Sequence, residues 1–304
     1  MLKNKLHTKK QLLPLMLLLF LGFIWGTGYS IARFAMTHGV NPLGYSLWQS
    51  IGPALLIGLL AYSQNKTAPI QTAHWRYYFI CGLTGIAIPN TNMYFAAPHL
   101  PAGLLAVIVN TVPIMAYMMA LLARVESFNL LRLTAVLIAL AGLMLILIPH
   151  AGLHSPLMTP WVLSALITPF CFAFCAVYMT RFRPKNSNSL SLAAGTLVFS
   201  SLLLTPIVLL SGHFYALHLP LTAPDWVILL EILLSSLGYI LFFQLMKIAG
   251  PVYYSFVDTI VAMTGLFWGY LIFDEKLNFW SGTAVALIIC ALIIVNKQQK
   301  PMLD

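Results

Sequence analysis

From Leu12 to Asn296 the chain is a succession of apolar runs, each about 20 residues long and nearly free of charge, which is the length a helix needs to cross a bilayer core. That pattern leaves few folds open. A soluble domain carries about 25% charged residues, whereas here charged residues make up 8% and hydrophobic residues 60% of 304. The chain reads as an all-α integral membrane protein with no separate soluble domain.

The first run, LLPLMLLLFLGFIWGTGYSIA, follows Lys3, Lys5, Lys9 and Lys10 and so begins like a signal peptide. It is too long for the apolar region of one and shows no small-x-small cleavage site, so a retained helix is expected. The net charge of +9 comes from residues in short flanks between runs, which membrane topology explains without a nucleic-acid partner. Cys81, Cys171, Cys175 and Cys290 all fall inside apolar runs. Cys171 and Cys175 are a helical turn apart, but no histidine or second cysteine pair accompanies them, so they read as packing residues.

Punctuation by Pro, Gly, Asn and charge predicts ten transmembrane helices, at 12–34, 43–62, 77–97, 102–122, 131–149, 160–180, 190–211, 226–246, 252–272 and 280–296. With the N-terminus in the cytoplasm, every Lys and Arg except Arg33 and Lys276 lies on an inside flank. Positive residues accumulate inside, so both termini are expected in the cytoplasm of an inner-membrane protein.

The chain also matches itself. RVESFNLLRLTAVLIALAGLMLIL from Arg124 aligns with FDEKLNFWSGTAVALIICALIIV from Phe273, pairing Glu126, Asn129 and Thr134 with Glu275, Asn278 and Thr283. Trp75 and Trp226 open the third helix of each half. Two five-helix repeats follow, at 12–149 and 160–297, and an odd helix number inverts one against the other. Inverted repeats place a shared site near the midplane that can open to either side in turn. The pentapeptides GFIWG (22–26) and GLFWG (265–269) do not share the repeat offset and read as small-xxx-small packing patterns.

These features resemble the drug/metabolite transporter superfamily, EamA type. The resemblance rests on two inverted fives, Trp25-Gly26 in the first helix, Pro113 before Glu126, and Asp274-Glu275-Lys276-Leu277 between the last two helices, and it covers about residues 12 to 297. It implies export or exchange of small metabolites such as amino acids, without ATP. Members often carry Glu-Pro in the ninth helix, where this chain has Val261-Ala262, and the counterpart of Trp25-Gly26 in the sixth helix is Phe174-Cys175. A role for Asp258 therefore has to be argued from its physics.

Only Glu231 and Asp258, of the seven acids, lie within the predicted spans. A central charge costs about 2.5–3.5 kcal/mol on insertion scales, so each needs a partner, a wet cavity or a proton. Glu231 lies ~7.5 Å inside the outer end of the eighth helix. Arg33 reaches a similar level, and an ion pair between them is the structural alternative. Glu231 also shares a stripe with Ser235 and Tyr239. Asp258 enters from the cytoplasmic side, ~10 Å in, on a face with Tyr254, Gly265 and Trp268. The repeat-related fourth helix presents Gly103, Asn110 and Tyr117. Trp25, Tyr29 and Arg33 share a face of the first helix, Asn90 and Tyr94 one of the third, and Trp48 and Gln49 lie on the second. Aromatic residues with polar tips suit an amphipathic or cationic solute.

The expected pathway is thus Asp258, Glu231, Trp25, Tyr29, Asn90, Tyr94, Asn110, Tyr117, Tyr239, Tyr254 and Trp268, with a small solute, lipid and protons as partners. Carriage of cationic or quaternary ammonium solutes is the alternative within transport. An integral membrane enzyme acting on lipid-linked substrates is the alternative outside it, but the chain lacks the paired acids, metal cluster or activated nucleophile such chemistry uses. The outside-loop histidines His38, His99, His150, His154, His213 and His218 lack accompanying acids or cysteines, so no metal or cofactor is expected. No Walker motif or filter-like loop marks a pump or channel.

Overall fold

The computed structural model describes residues 2–66, 68–69, 71–96, 109, 111–147 and 159–273, together with 282–283, 286–287, 289–291 and 293–294. Every element among them is helical. In chain order they are α1 (Leu2–Thr37), α2 (Pro42–Ser63), α3 (Thr72–Gly82), a π-turn (Leu83–Ala87), α4 (Ile88–Ala96), α5 (Val112–Leu122), α6 (Leu130–Leu147), α7 (Thr159–Ala165), α8 (Ile167–Arg181), α9 (Ser189–Leu210), α10 (Ala223–Tyr254) and α11 (Phe256–Phe273).

Pro42–Ser63, Leu163–Arg181, Ser189–Leu210 and Ala223–Tyr254 are long and apolar enough to cross a membrane, and Leu12–Gly28, Val112–Leu122 and Leu130–Gly142 are shorter apolar helices. Large apolar side chains such as Leu55, Leu59, Leu202, Leu209 and Leu233 point outward, where lipid can cover them. The molecule is a multi-pass membrane protein. The predicted spans 102–122 and 280–296 lie partly outside the described residues, as does all of Asp274-Glu275-Lys276-Leu277.

Helix starts follow local chemistry. The Asn41 side chain accepts from Leu43 N at 2.9 Å ahead of α2, whose first residue is Pro42, and Asn188 accepts from Leu190 N at 2.8 Å ahead of α9. Thr222 and Asp225 form a reciprocal capping box on α10.

Three interruptions shape the interior. The π-turn separates α3 from α4, just before Pro89. The predicted sixth span breaks at Leu166 into α7 and α8, ahead of Pro169, which has no N–H to give to the helix. Asn92 bridges these two breaks. Its Nδ2 donates to Ser164 O at 2.9 Å and Thr168 Oγ1 at 3.1 Å, while its Oδ1 accepts from Ser164 Oγ at 2.9 Å. Thr168 Oγ1 in turn donates to Pro89 O at 3.1 Å. The third interruption is at Gly250, whose φ of 76° and ψ of 179° only glycine adopts readily, followed by Pro251. This link joins the predicted eighth and ninth spans with little intervening loop.

Contacts organise the bundle. α1 lies between α10 and α11, α2 packs on α9 and α10, α5 and α4 pack on α8, and α3 packs on α9. Leu18, Leu21, Phe243, Leu245, Phe256 and Val257 fill the principal core. Helices α1 and α11 approach closely because Gly22 and Gly26 leave room. A Cβ on Gly22 would lie 2.5 Å from Ile260 Cβ, and one on Gly26 2.6 Å from Thr264 Cβ. The first small-xxx-small pattern thus has its facing helix. At the α2–α9 crossing the Ser50 and Ser200 hydroxyls are 3.0 Å apart, both buried.

Candidate functional site

α1 reaches the interior with Trp25 and Gly28, and around them a cavity of about 100 Å³ is enclosed by α1, α2, the π-turn and α4, α8, α10 and α11. Both intramembrane acids line it. Glu231 and Asp258 are each 7% exposed, and among the described residues no Lys, Arg or His joins them on the wall.

Glu231 occupies space that Gly28 leaves empty, since a Cβ there would lie 2.5 Å from its Oε1. Ser235 Oγ is 3.1 Å from the same oxygen and 2.7 Å from Gln49 Oε1. One hydroxyl has one proton, so it cannot donate to both oxygens. If it donates to Gln49, Glu231 holds a proton and donates to Ser235. If it donates to Glu231, the Gln49 amide must turn its N–H toward Ser235 instead. Glu231 Oε2 and Gln49 Nε2 have no partner among the described residues. The trio therefore links one proton on Glu231 to the orientation of an amide on another helix.

Asp258 Oδ2 also lacks a partner among the described residues. The packing of α1 fixes its depth relative to Glu231. Gly22 meets Ile260 and Gly26 meets Thr264, so α11 runs parallel to α1 and Asp258 falls level with Phe20. Glu231 is level with Gly28, so the two acids sit eight α1 residues, or ~12 Å, apart along the bundle. Aromatic rings fill the interval. Trp25 is centred 6.1 Å from Tyr239, 5.6 Å from Phe242 and 6.3 Å from Tyr254. Gly238 admits the indole, because a Cβ there would be 2.5 Å from Trp25 Nε1. Asn90 faces the Tyr239 hydroxyl, and Tyr94 stands edge-on to Tyr45 at 5.4 Å.

Of the residues singled out from the sequence, the structure gathers Asp258, Glu231, Trp25, Asn90, Tyr94, Tyr239 and Tyr254 around this cavity, along with Gln49. Tyr117 is elsewhere. Its hydroxyl donates to Asn129 O at 3.1 Å and accepts from Asn129 N at 2.8 Å, pinning the start of α6. Trp268 donates to Thr27 Oγ1 at 2.9 Å and ties α11 to α1. Trp48 donates to Tyr215 O at 2.8 Å in the loop between α9 and α10. Asn110, Gly103 and the side chains of Tyr29 and Arg33 lie outside the described residues, as do the surroundings of Gly265. Sequence reasoning missed Gly28, Met93, Phe172 and Phe242 on the wall. Phe242 was within reach, one turn beyond Tyr239 on the stripe already marked by Glu231 and Ser235. The others carry no polar signal.

In the first turn of α10, ahead of the predicted span 226–246, Asp225 is shielded from solvent. Burial alone would push its carboxyl up. Hydrogen bonds from the Thr222 hydroxyl and N–H, and from His218 and Tyr215, outweigh that and hold it well below the usual carboxylate range. Among the described residues no cluster of three or more His, Cys, Asp or Glu could hold a metal ion.

Comparison with known proteins adds a family. The EamA-like transporter family matches twice, over residues 12–148 and 159–297. Protein PecM of Dickeya dadantii (strain 3937) is 24% identical over 274 residues, covering 90% of this chain and 89% of its own. Uncharacterized transporter YvbV of Bacillus subtilis (strain 168) is 22% identical over 291 residues, covering 94% and 92%. A solved structure described only as "Crystal structure of protein" superposes with a TM-score of 0.73 at 16% identity, covering 94% of this chain and 98% of its own, which is a likeness of fold.

Proposed function

The chain belongs to the EamA-like transporter family and is a membrane transporter, and from that premise we propose that it moves a small metabolite by alternating access, coupled to protons, through the cavity that holds Asp258 and Glu231. The observation that carries this reading is the meeting of two buried acids, each with an unpartnered oxygen, on one cavity wall free of cations among the described residues. An intramembrane carboxylate needs a proton or a positive partner. A cavity that opens to each side in turn can supply either.

Alternation is supported by the repeat. Ser50 and Ser200 touch across 150 residues, between the offsets of 149 (Glu126/Glu275) and 151 (Trp75/Trp226) at which the two halves of the sequence align. A residue that meets its own repeat counterpart lies on the axis relating the halves. The neighbours agree with such an axis: α1 packs on α10 and α11, and its counterpart α8 packs on α4 and α5. The double family match falls on the same two stretches. On this reading ten helices form two inverted fives, both termini face the cytoplasm of an inner membrane, and transport is export or exchange without catalysis. Amino acids are one solute class that fits. Cationic solutes are the second, favoured by two acids and a ring cluster with no facing base among the described residues.

The test is transport by the full chain in proteoliposomes, screened against amino acids, amines and nucleosides under an imposed pH gradient. Accumulation of one class is expected, and Asp258→Asn, nearly isosteric but unable to titrate, should fold yet lose gradient-driven accumulation. Wild-type accumulation and pH dependence in that variant would overturn the coupling role of Asp258.

A further inference from the structure

The two carboxylates are matched in chemistry and separated along the bundle, and that separation carries information about the solute. Resting on the transporter reading above, we propose that the solute is a small linear dication, an α,ω-diamine with both ends protonated, held lengthwise with one ammonium at Asp258 and the other at Glu231.

The charge pattern selects this class. Each acid is 7% exposed and presents an oxygen without a partner among the described residues, Oδ2 of Asp258 and Oε2 of Glu231. A monocation satisfies one of them and leaves the other buried alone. A neutral solute satisfies neither, and the carboxylate of an amino acid meets like charge with no Lys, Arg or His on the wall among the described residues. The walls between the acids select the middle of the solute. Trp25, Phe242 and Tyr239 present ring faces and edges along the ~12 Å that separates the levels of the two acids. A methylene chain packs against rings, and an ammonium near a ring face is attracted by it. A five-carbon diamine in extended form, with one hydrogen bond from each ammonium to a carboxylate oxygen, spans a gap of about this size.

The same geometry sets the exchange. Among the described residues, the other titratable groups facing the cavity are Tyr94 on α4, Cys175 on α8, and Tyr239 and Tyr254 on α10, none of which is cationic, while α2 contributes Gln49. With the cavity empty, protons on Asp258 and Glu231 neutralise the acids. With the solute bound, its two ammonium groups replace those two protons, which leave to the side from which the solute entered. One dication therefore exchanges for two protons, and no net charge crosses the membrane.

The experiment measures binding of cadaverine, pentylamine and lysine to the detergent-solubilised full chain. Cadaverine differs from pentylamine by one ammonium and from lysine by one carboxylate. Cadaverine is expected to bind at least about tenfold more tightly than either. Glu231→Gln and Asp258→Asn should each remove that preference, with folding checked by gel filtration, and the wild-type comparison stands without either variant. In proteoliposomes a pH gradient should drive cadaverine accumulation that is unchanged when potassium and valinomycin clamp the membrane potential. Equal affinity for the three compounds, or accumulation that follows the potential, would overturn the dication. Accumulation of an amino acid or nucleoside with no diamine preference would overturn the dication and leave the transporter reading intact, whereas failure of every solute under every gradient would overturn both.

Discussion

Gly28 shows how one missing methyl group can serve a site, while Gly22, two turns earlier on the same helix, serves packing. A Cβ at Gly28 meets the end of a flexible side chain, Glu231 Oε1 at 2.5 Å, whereas one at Gly22 meets Ile260 Cβ at 2.5 Å and Val257 O at 3.2 Å. Gly28→Ala should therefore leave the melting temperature nearly unchanged while displacing the carboxylate from Ser235, lowering solute affinity several-fold. Gly22→Ala should destabilise by about 1–3 kcal/mol through overpacking between α1 and α11. Thermal melting and solute binding on the two variants separate the roles, and equal effects on both readouts would refute the distinction. Asp225 gives a pH signature. Its folded pKa lies below the unfolded value, so its contribution is present above about pH 4 and fades as pH falls through the folded value. Asp225→Ala should cost about 1 kcal/mol near neutrality through the lost cap, and the gap from wild type should narrow in acid. A gap that holds constant down to strongly acidic pH would show that the charge is not what matters.

At the scale of the element, the long uninterrupted runs were legible and the breaks inside runs were not. Asn41-Pro42 and Asn188 announce α2 and α9, and Pro251 marks the link that Gly250 makes. The π-turn over Leu83–Ala87 looks like its neighbours in composition. Its surroundings are tertiary and no local pattern encodes them: a Cβ on Gly82 would lie 2.9 Å from Thr196 O and one on Gly85 2.6 Å from Cys175 Sγ. Pro89 and Pro169 were visible, but proline is tolerated in membrane helices and did not mark a break. What makes the breaks affordable is Asn92, whose three hydrogen bonds join α4 to α7 and α8. Asn92→Leu should remove all three and leave Ser164 O without this donor, lowering stability by about 1–3 kcal/mol. Melting of the purified variant measures this, and an unchanged transition would show that the clasp contributes nothing.

For the molecule as a whole, the sequence located both acids and put them on one expected pathway, without the packing that brings them to one wall. Read helix by helix, Glu231 and Asp258 enter from opposite faces and look isolated. The structure places them on one wall because α1 lies between α10 and α11 and the cavity extends along all three, which depends on packing rather than on any local pattern. On the proposed repeat, read in the sequence from Glu126/Glu275 and its neighbours, Ser50 and Ser200 lie near the axis. Replacing both serines by cysteine should give an intramolecular cross-link on oxidation, since hydroxyl oxygens 3.0 Å apart put the sulfurs near the ~2.05 Å of a disulfide. Failure to cross-link would place the axis elsewhere. A reporter fused after Lys300 should be cytoplasmic, and an outside reporter would remove the inverted topology.

The central claim, that the cavity between the halves is a transport site opening to each side in turn, is tested most directly through Cys175, which lines it. In a chain with Cys81, Cys171 and Cys290 replaced, a membrane-impermeant thiol reagent is applied to oriented vesicles from one face and then from the other. The account expects labelling from both faces, a shift between them when the pH gradient is reversed, and protection by the transported solute. Labelling confined to one face, unmoved by gradient and solute, would contradict it.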